Sequence, residues 1–166
     1  TYRLASMIKG TVLTAEFDNF FLVTAYIPNA GEGLKRLAYR TKEWDIDFME
    51  YLKSLEQTKP VILTGDLNVI SKDIDIYETK GREKLAGMLR KKEQLQTASE
   101  KGLVDAYRYF YPSKIEFSYW TVRFSDLRKV NKGWRLDYFV VSERLMPRIE
   151  DSTIHNEYYG SDHCPI

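Results

Sequence analysis

The stretch "PVILTGDLN", Pro60 to Asn68, decides the fold. A proline opens it, three bulky apolar residues follow without a polar break, and a glycine, an acid and an amide close it. A run this short, apolar on both parities, reads as a strand buried on both faces. Upstream, "TVLTAEF" (residues 11–17) and "NFFLVTAYI" (residues 19–27) are rich in β-branched and aromatic residues. Asp18 and Asn19 between them suit a tight hairpin turn. The loop "PNAGEG" leads into a helix over about residues 35–57, where Trp44, Phe48, Leu52 and Leu55 recur at helical spacing.

Downstream, a polar loop from Ser71 to about Gly87 precedes a second predicted helix over about residues 89–100, with Gly102 as its C-cap. "LVDAY", "FSYWTV", "WRLDYFVVS" and "STIHNEY" read as four more strands. Strands interleaved with two helices argue for a layered α/β domain with a mixed sheet. The 166 residues fit one domain. With 43% hydrophobic and 30% charged residues, the chain can bury a core and stay soluble. No apolar run approaches the length that spans a bilayer. The single cysteine, Cys164, excludes an internal disulfide. With 25 basic and 24 acidic residues, the net charge of +1 does not announce a nucleic-acid binder, so such a partner needs local patches. Two exist: "KGREKLAGMLRKK" (residues 80–92) and "RKVNKGWR" (residues 128–135). The first reads better as a solvated charged face; the second is less ordinary, because a tryptophan and a glycine sit inside it.

Chemistry can sit in four places. Asp66 and Asn68, two apart where the strand ends, point to one side and converge on one small volume. Ligands gather at such strand ends in open α/β sheets. Asp66 could bind a hard cation or orient a water, and Asn68 could donate to a phosphoryl oxygen; the plain alternative is a turn. Asp137 interrupts an apolar strand, which is costly unless the carboxylate is wet, paired with Arg135, or orienting a histidine. Of the two histidines, His155 reads as a surface or strand residue. His163, in "SDHCP", stands beside Asp162; the turn before proline could aim Asp162 at a metal and His163 at a phosphate or water. Tyr26 and Asn29 flank a stiff proline turn. Tyr119 and Trp120 are adjacent, so one faces the core and the other faces out, where it could stack on a sugar or base.

In order, "TAYIPNAGEGLKRLAYR", "ILTGDLNV", "DID", "SYWT", "NKGWRLDYFVVS" and "GSDHCPI" resemble the exonuclease III type of apurinic/apyrimidinic endonucleases, within the endonuclease/exonuclease/phosphatase superfamily. The resemblance implies a partial four-layer α/β sandwich, two mixed sheets flanked by helices. Residues 1–166 would form one partial domain, lacking the family's N-terminal portion, with its Asn and metal-binding Glu, and the family's last strand. The implied substrate is double-stranded DNA with an abasic site, cut on its 5′ side with Mg²⁺ or Mn²⁺ as cofactor, with 3′-exonuclease activity as a further expectation. By position, Asp66 resembles the residue that orients or deprotonates the attacking water, and Asn68 the amide of the phosphate site. Asp137 resembles the carboxylate that pairs with the catalytic histidine, and His163 that histidine. Asp162 matches an acid near the metal, with Asp66 as its companion. Tyr26 and Asn29 match contacts to the scissile phosphate; Tyr119, Trp120 and Trp134 match the lining of the abasic-sugar pocket.

The chain departs from the family at Glu32, where a basic residue is usual, and at Leu85 and Met88, in place of an asparagine and a phenylalanine that reach DNA. Tyr119 stands where the family usually has phenylalanine. The resemblance also implies a monomer, nuclear or mitochondrial in a eukaryote and cytoplasmic in a bacterium, and a chain that does not cut by itself. The competing readings are another metal-dependent phosphoesterase of the superfamily and an inactive nucleic-acid-binding fragment.

Overall fold

The computed structural model describes residues 3–8, 11–31, 35–77, 102–122 and 127–166, the first of these segments as backbone alone. Strands β1 (Arg3–Ile8), β2 (Val12–Glu16) and β3 (Phe21–Ala25) form an antiparallel meander. The β2–β3 turn falls at Asp18 and Asn19, as their turn chemistry predicts. Helix α1 (Leu37–Tyr39) continues through a π turn (Arg40–Trp44) into α2 (Asp45–Glu56). Strand β4 (Val61–Asp66) returns parallel to β3. A 3-10 turn (Asp73–Asp75), β5 (Leu103–Asp105), the short helix α3 (Ala106–Phe110), β6 (Asp137–Ser142) and a closing 3-10 segment (Glu143–Arg148) complete the order.

The six strands form one mixed sheet, in the order β1-β2-β3-β4-β6-β5. β4 lies inside it, parallel to β3 and antiparallel to β6. On one face, Val12, Val23, Leu63 and Val140 pack beneath Trp44, Phe48 and Leu52 of the helix, with Leu55 half-buried beside them. The opposite face carries Val141, Ala106 and Met146, with Ile62 and Phe139 partly covered. Burying both faces of β4 is what its unbroken apolar run requires.

The structure corrects four expectations. Among the described residues there is one extended sheet, not two. The segments read as strands in "FSYWTV" and "STIHNEY" are not strands. The first contributes single bridges, Tyr119 to Trp134 and Tyr119 to His163, and Trp134 bridges Ile76 in turn. What was expected as a second sheet is thus a ribbon one residue wide. In the second, Ser152 and Ile154 are buried while Asp151 and Thr153 are exposed, so the alternation is real. Its backbone is held by His155 N–H donating to the Pro165 carbonyl at 2.9 Å instead of by a ladder. "LVDAY" leaves the sheet after Asp105, because that carboxylate caps α3 by accepting from Arg108 N–H at 3.2 Å. Strand β1, whose mixed sequence "RLASMI" carries little strand signal, went unread. The predicted second helix, Glu32, Leu85 and Met88 lie outside the described residues.

Candidate active site

The sheet brings three chain segments to one end. β4 and β6 run antiparallel with Asp66 directly opposite Asp137. Ile27 N–H donates to the Asp66 carbonyl at 2.9 Å, which sets the turn carrying Tyr26 and Asn29 beside them. Asn68 closes the turn after β4 in a left-handed conformation, φ +48°. Its backbone N–H donates to Asp66 Oδ1 and its Nδ2 to Asp66 Oδ2, both at 2.9 Å, while Nδ2 also donates to the Ile27 carbonyl at 3.0 Å. The turn reading and the convergent reading of this pair therefore describe one geometry.

Asp137 does not pair with Arg135. Its Oδ2 accepts from His163 Nδ1 at 2.8 Å and from the Ser118 hydroxyl at 2.7 Å. Ser118 is fully buried, and its oxygen also accepts from the backbone N–H of Leu136 and Asp137 at 3.0 and 3.1 Å. With Nδ1–H committed to Asp137, His163 turns Nε2 away from its partner. Tyr119 lies against the imidazole at 4.8 Å between ring centroids and against Trp134 at 5.8 Å.

The electrostatics separate the two ionisable groups. Burial pushes the Asp66 carboxyl up to about 6; the Asn68 N–H bond opposes this, the Asp137 charge adds to it, and His163 and Arg40 oppose it. Burial alone would lower His163, but the Asp137 hydrogen bond and the charges of Asp137, Asp66 and Asp162 outweigh it and hold the imidazolium above its usual range. Both groups bind protons more tightly folded than unfolded. Stability from Asp66 is complete near pH 4 and lost as pH rises through 6, and that from His163 is lost as pH rises beyond 6.5. Urea midpoints should therefore fall from pH 5 to pH 8, with Asp66 contributing at most about 3 kcal/mol. An Asp66→Asn variant should have the flatter profile; equal slopes would exclude the shift.

Not every expected site residue reaches this volume. Trp120 is 3% exposed and packs with Tyr107, Phe117, Ile154 and Cys164 in the interior. Of the adjacent aromatic pair, Tyr119 is the one that faces the histidine. Tyr26 is exposed at the end of β3. The exposed Asn29 accepts from Gly31 N–H at 3.1 Å and Arg36 Nη2 at 2.9 Å. The basic run "RKVNKGWR" also divides. Arg135 is fully buried, and Arg128 turns inward, stacked over Trp120 and Tyr159 and donating to the Ser161 carbonyl at 3.1 Å ahead of Asp162. Lys129 and Lys132 stay on the surface.

Among the described residues no three His, Cys, Asp or Glu side chains converge to hold a metal ion. Both Asp66 oxygens are already engaged by Asn68, and Asp162 Oδ1 accepts from the Ser161 hydroxyl at 3.3 Å. Mg²⁺ is commonly held by one or two carboxylates together with waters and substrate phosphate, so Asp66 and Asp162 would supply only part of its shell. The described residues therefore do not by themselves complete the metal site expected at Asp66 and Asp162.

A family model described as "Endonuclease/Exonuclease/phosphatase family" matches residues 6–163, almost the whole chain and every residue of the Asp66–Asp137–His163 cluster. The chain belongs to the endonuclease/exonuclease/phosphatase family. Within it, the chain is 49% identical over 160 residues to the zebrafish (Danio rerio) DNA repair nuclease APEX1, covering 95% of this chain and 51% of that protein. It is 49% identical over 162 residues to a DNA-(apurinic or apyrimidinic site) endonuclease of Dictyostelium discoideum, covering 95% of this chain and 45% of that protein. The chain thus spans about half the length of these relatives. The crystal structure of the AP endonuclease LMAP from Leishmania major superposes with a TM-score of 0.82 at 32% identity, over 93% of this chain and 53% of that one. The residues that the sequence reading missed in this family member are Ser118, Asp75, Arg40 and Arg128. Ser118 opens the "SYWT" block, where a small polar residue before two aromatics was its only signal.

Proposed function

We propose that the chain carries the phosphate-attacking part of a DNA-repair phosphodiesterase that cuts duplex DNA 5′ to abasic sites. The observation that carries this reading is the meeting, at one end of the sheet, of Asp66, whose carboxyl burial pushes up to about 6, with His163 held by Asp137, which Ser118 holds in turn. Above pH 6, Asp66 accepts a proton from water. The water oxygen bonds to phosphorus and the bond from phosphorus to the upstream 3′-oxygen breaks, that oxygen taking a proton from solvent. His163 donates from Nε2 to a non-bridging phosphoryl oxygen, where negative charge gathers. Asn68 fixes the Asp66 carboxylate. Tyr26 and Asn29 contact the scissile phosphate. Tyr119 and Trp134 face the extruded sugar, and an abasic nucleotide costs less to extrude than a stacked one. The kinship with DNA repair nucleases and AP endonucleases supports the substrate class. A 3′-exonuclease activity is the second reading, favoured by 43% identity to a Bacillus subtilis exodeoxyribonuclease.

The test is nicking of a duplex with one abasic analogue, in Mg²⁺ buffer. The full-length protein should cut it, and Asp66→Ala should slow cutting by about 10²–10⁴-fold. The 166-residue chain by itself should cut little or not at all. Undiminished cutting by Asp66→Ala would remove Asp66 from the mechanism.

A further inference from the structure

Arg40 is 6% exposed, and both of its terminal nitrogens donate to backbone carbonyls of the site loops. Nη1 donates to Asn68 O at 2.7 Å and to Pro28 O at 3.2 Å, and Nη2 donates to Leu67 O at 2.8 Å. Pro28 lies between Tyr26 and Asn29; Leu67 and Asn68 follow Asp66. One planar guanidinium thus ties the two loops that carry four of the candidate site residues. Burying a guanidinium is expensive, and interior packing alone does not call for it. A lysine cannot serve the same carbonyls, because its ammonium is a point donor without a rigid fork.

The helix is built to deliver this side chain. Arg40 opens the π turn, and Asp45 N–H bonds to the Arg40 carbonyl across five residues. The wider turn puts residues five apart on one face, where an α-helix would splay them; π turns recur at functional sites. Asp45, 7% exposed, meets Arg40 Nε through Oδ1 at 3.4 Å. The carbonyl that receives the shortest Arg40 bond belongs to Asn68, which sits at φ +48°. Asparagine enters that region more readily than other L-residues but still at a cost, which bonds to its own backbone can offset.

We propose that Arg40 is a positioning residue for hydrolysis, holding Asn68 left-handed so that its amide clamps the Asp66 carboxylate, and locking the Tyr26–Asn29 loop to it. The proposal rests on the phosphodiesterase reading for its effect on rate and on geometry alone for its effect on Asn68. Arg40→Lys and Arg40→Met in the full-length protein should each lower kcat for abasic nicking about 100-fold, the scale of a 1 Å misplacement, with KM within about threefold. Arg144→Met, which removes an exposed arginine bonded to Glu56, should leave both unchanged. In the same Arg40 variants the ¹³Cα shift of Asn68, which reports φ, should leave its left-handed value. Rates within about threefold of the parent protein for Arg40→Lys would overturn the proposal. So would an unmoved Asn68 shift, whatever the rate. A parent protein that fails to nick would sink the phosphodiesterase reading instead, and the Asn68 shift would still decide the role of Arg40.

Discussion

Gly65→Ala should be among the most damaging single-methyl changes available to this chain, costing about 3–5 kcal/mol from backbone strain and steric overlap together. Gly65 has φ +123°, a region L-residues rarely enter. A Cβ built there would stand 2.2 Å from the Ala25 carbonyl oxygen and 3.1 Å from its carbonyl carbon. Those atoms are the backbone of β3, paired parallel to β4, so relief requires the two strands to part. They would part beside Asp66 and at the root of the Tyr26 loop, so lost stability and a displaced site should arrive together. Urea unfolding measures the first. A control separates steric overlap from left-handed strain: Gly102 has φ +75° with nothing within 4 Å of an added Cβ. Gly102→Ala should cost only about 1–2 kcal/mol. Equal losses at the two positions would mean that the close approach of β3 and β4 is not what demands glycine.

The parts of this fold legible in sequence are those whose signal is local. The β2–β3 hairpin shows in its β-branched runs and turn residues, β4 in its unbroken apolar run, and the long helix in the spacing of Trp44, Phe48 and Leu52. For Asp137 the strand itself left three readings open, a wet carboxylate, a pair with Arg135 or a bond to a histidine, and only the family resemblance singled out His163, which it meets at 2.8 Å. What stayed hidden depends on distant pairing. "FSYWTV" has strand composition, but whether a segment becomes a ladder or a single bridge is decided by what lies beside it. Trp120 and Tyr119 alternate as a strand would, yet nothing local says which of them meets the core. Arg40 and Arg128 gave no signal because most of their acceptors are backbone carbonyls, which carry no sequence signature.

This divides the cluster into two kinds of residue. Asp66, Asn68, Asp137 and His163 announce themselves because their side chains are chemically out of place in strands and turns. The residues that aim them, Ser118 and Arg40 among them, are ordinary in composition and special only in what they touch. Substitutions in the second group should change geometry before they change charge.

Asp75 is the extreme of that second kind, and Asp75→Asn should destabilise the chain by about 3–5 kcal/mol, the cost of breaking a buried ion pair from one side. Its carboxylate is fully buried and accepts five hydrogen bonds. Arg135 Nε and Nη2 donate at 2.8 and 3.0 Å, Arg108 donates through Nε at 3.0 Å and through Nη2, and Lys72 N–H donates at 2.9 Å. Arg135 is fully buried and turns its other edge to Asp105, at 2.6 and 3.2 Å. Neutralising Asp75 leaves Arg135 with Asp105 as its carboxylate and the buried Arg108 guanidinium with only the Tyr111 and Lys114 carbonyls. An asparagine amide would also aim donors at donors. Burial alone would raise the Asp75 carboxyl, but the bonds and charges of Arg135 and then Arg108 outweigh it and hold it below the usual carboxylate range. Its stabilisation is therefore complete above about pH 4 and lost as pH falls below that value, opposite in sign to Asp66. The chain should be most stable where the two contributions meet, near pH 4, and Asp75→Asn should remove the acid limb while leaving the loss between pH 5 and pH 8 in place. The backbone at this turn carries the consequence toward the site. Arg135 N–H donates to the Asp75 carbonyl at 2.8 Å, and the next residue, Ile76, bridges Trp134, which bridges Tyr119 against His163. Denaturation curves from pH 2 to 8 for the two chains check the prediction. Retention of the acid limb in the variant would show that Asp75 is not the group whose protonation unfolds the protein.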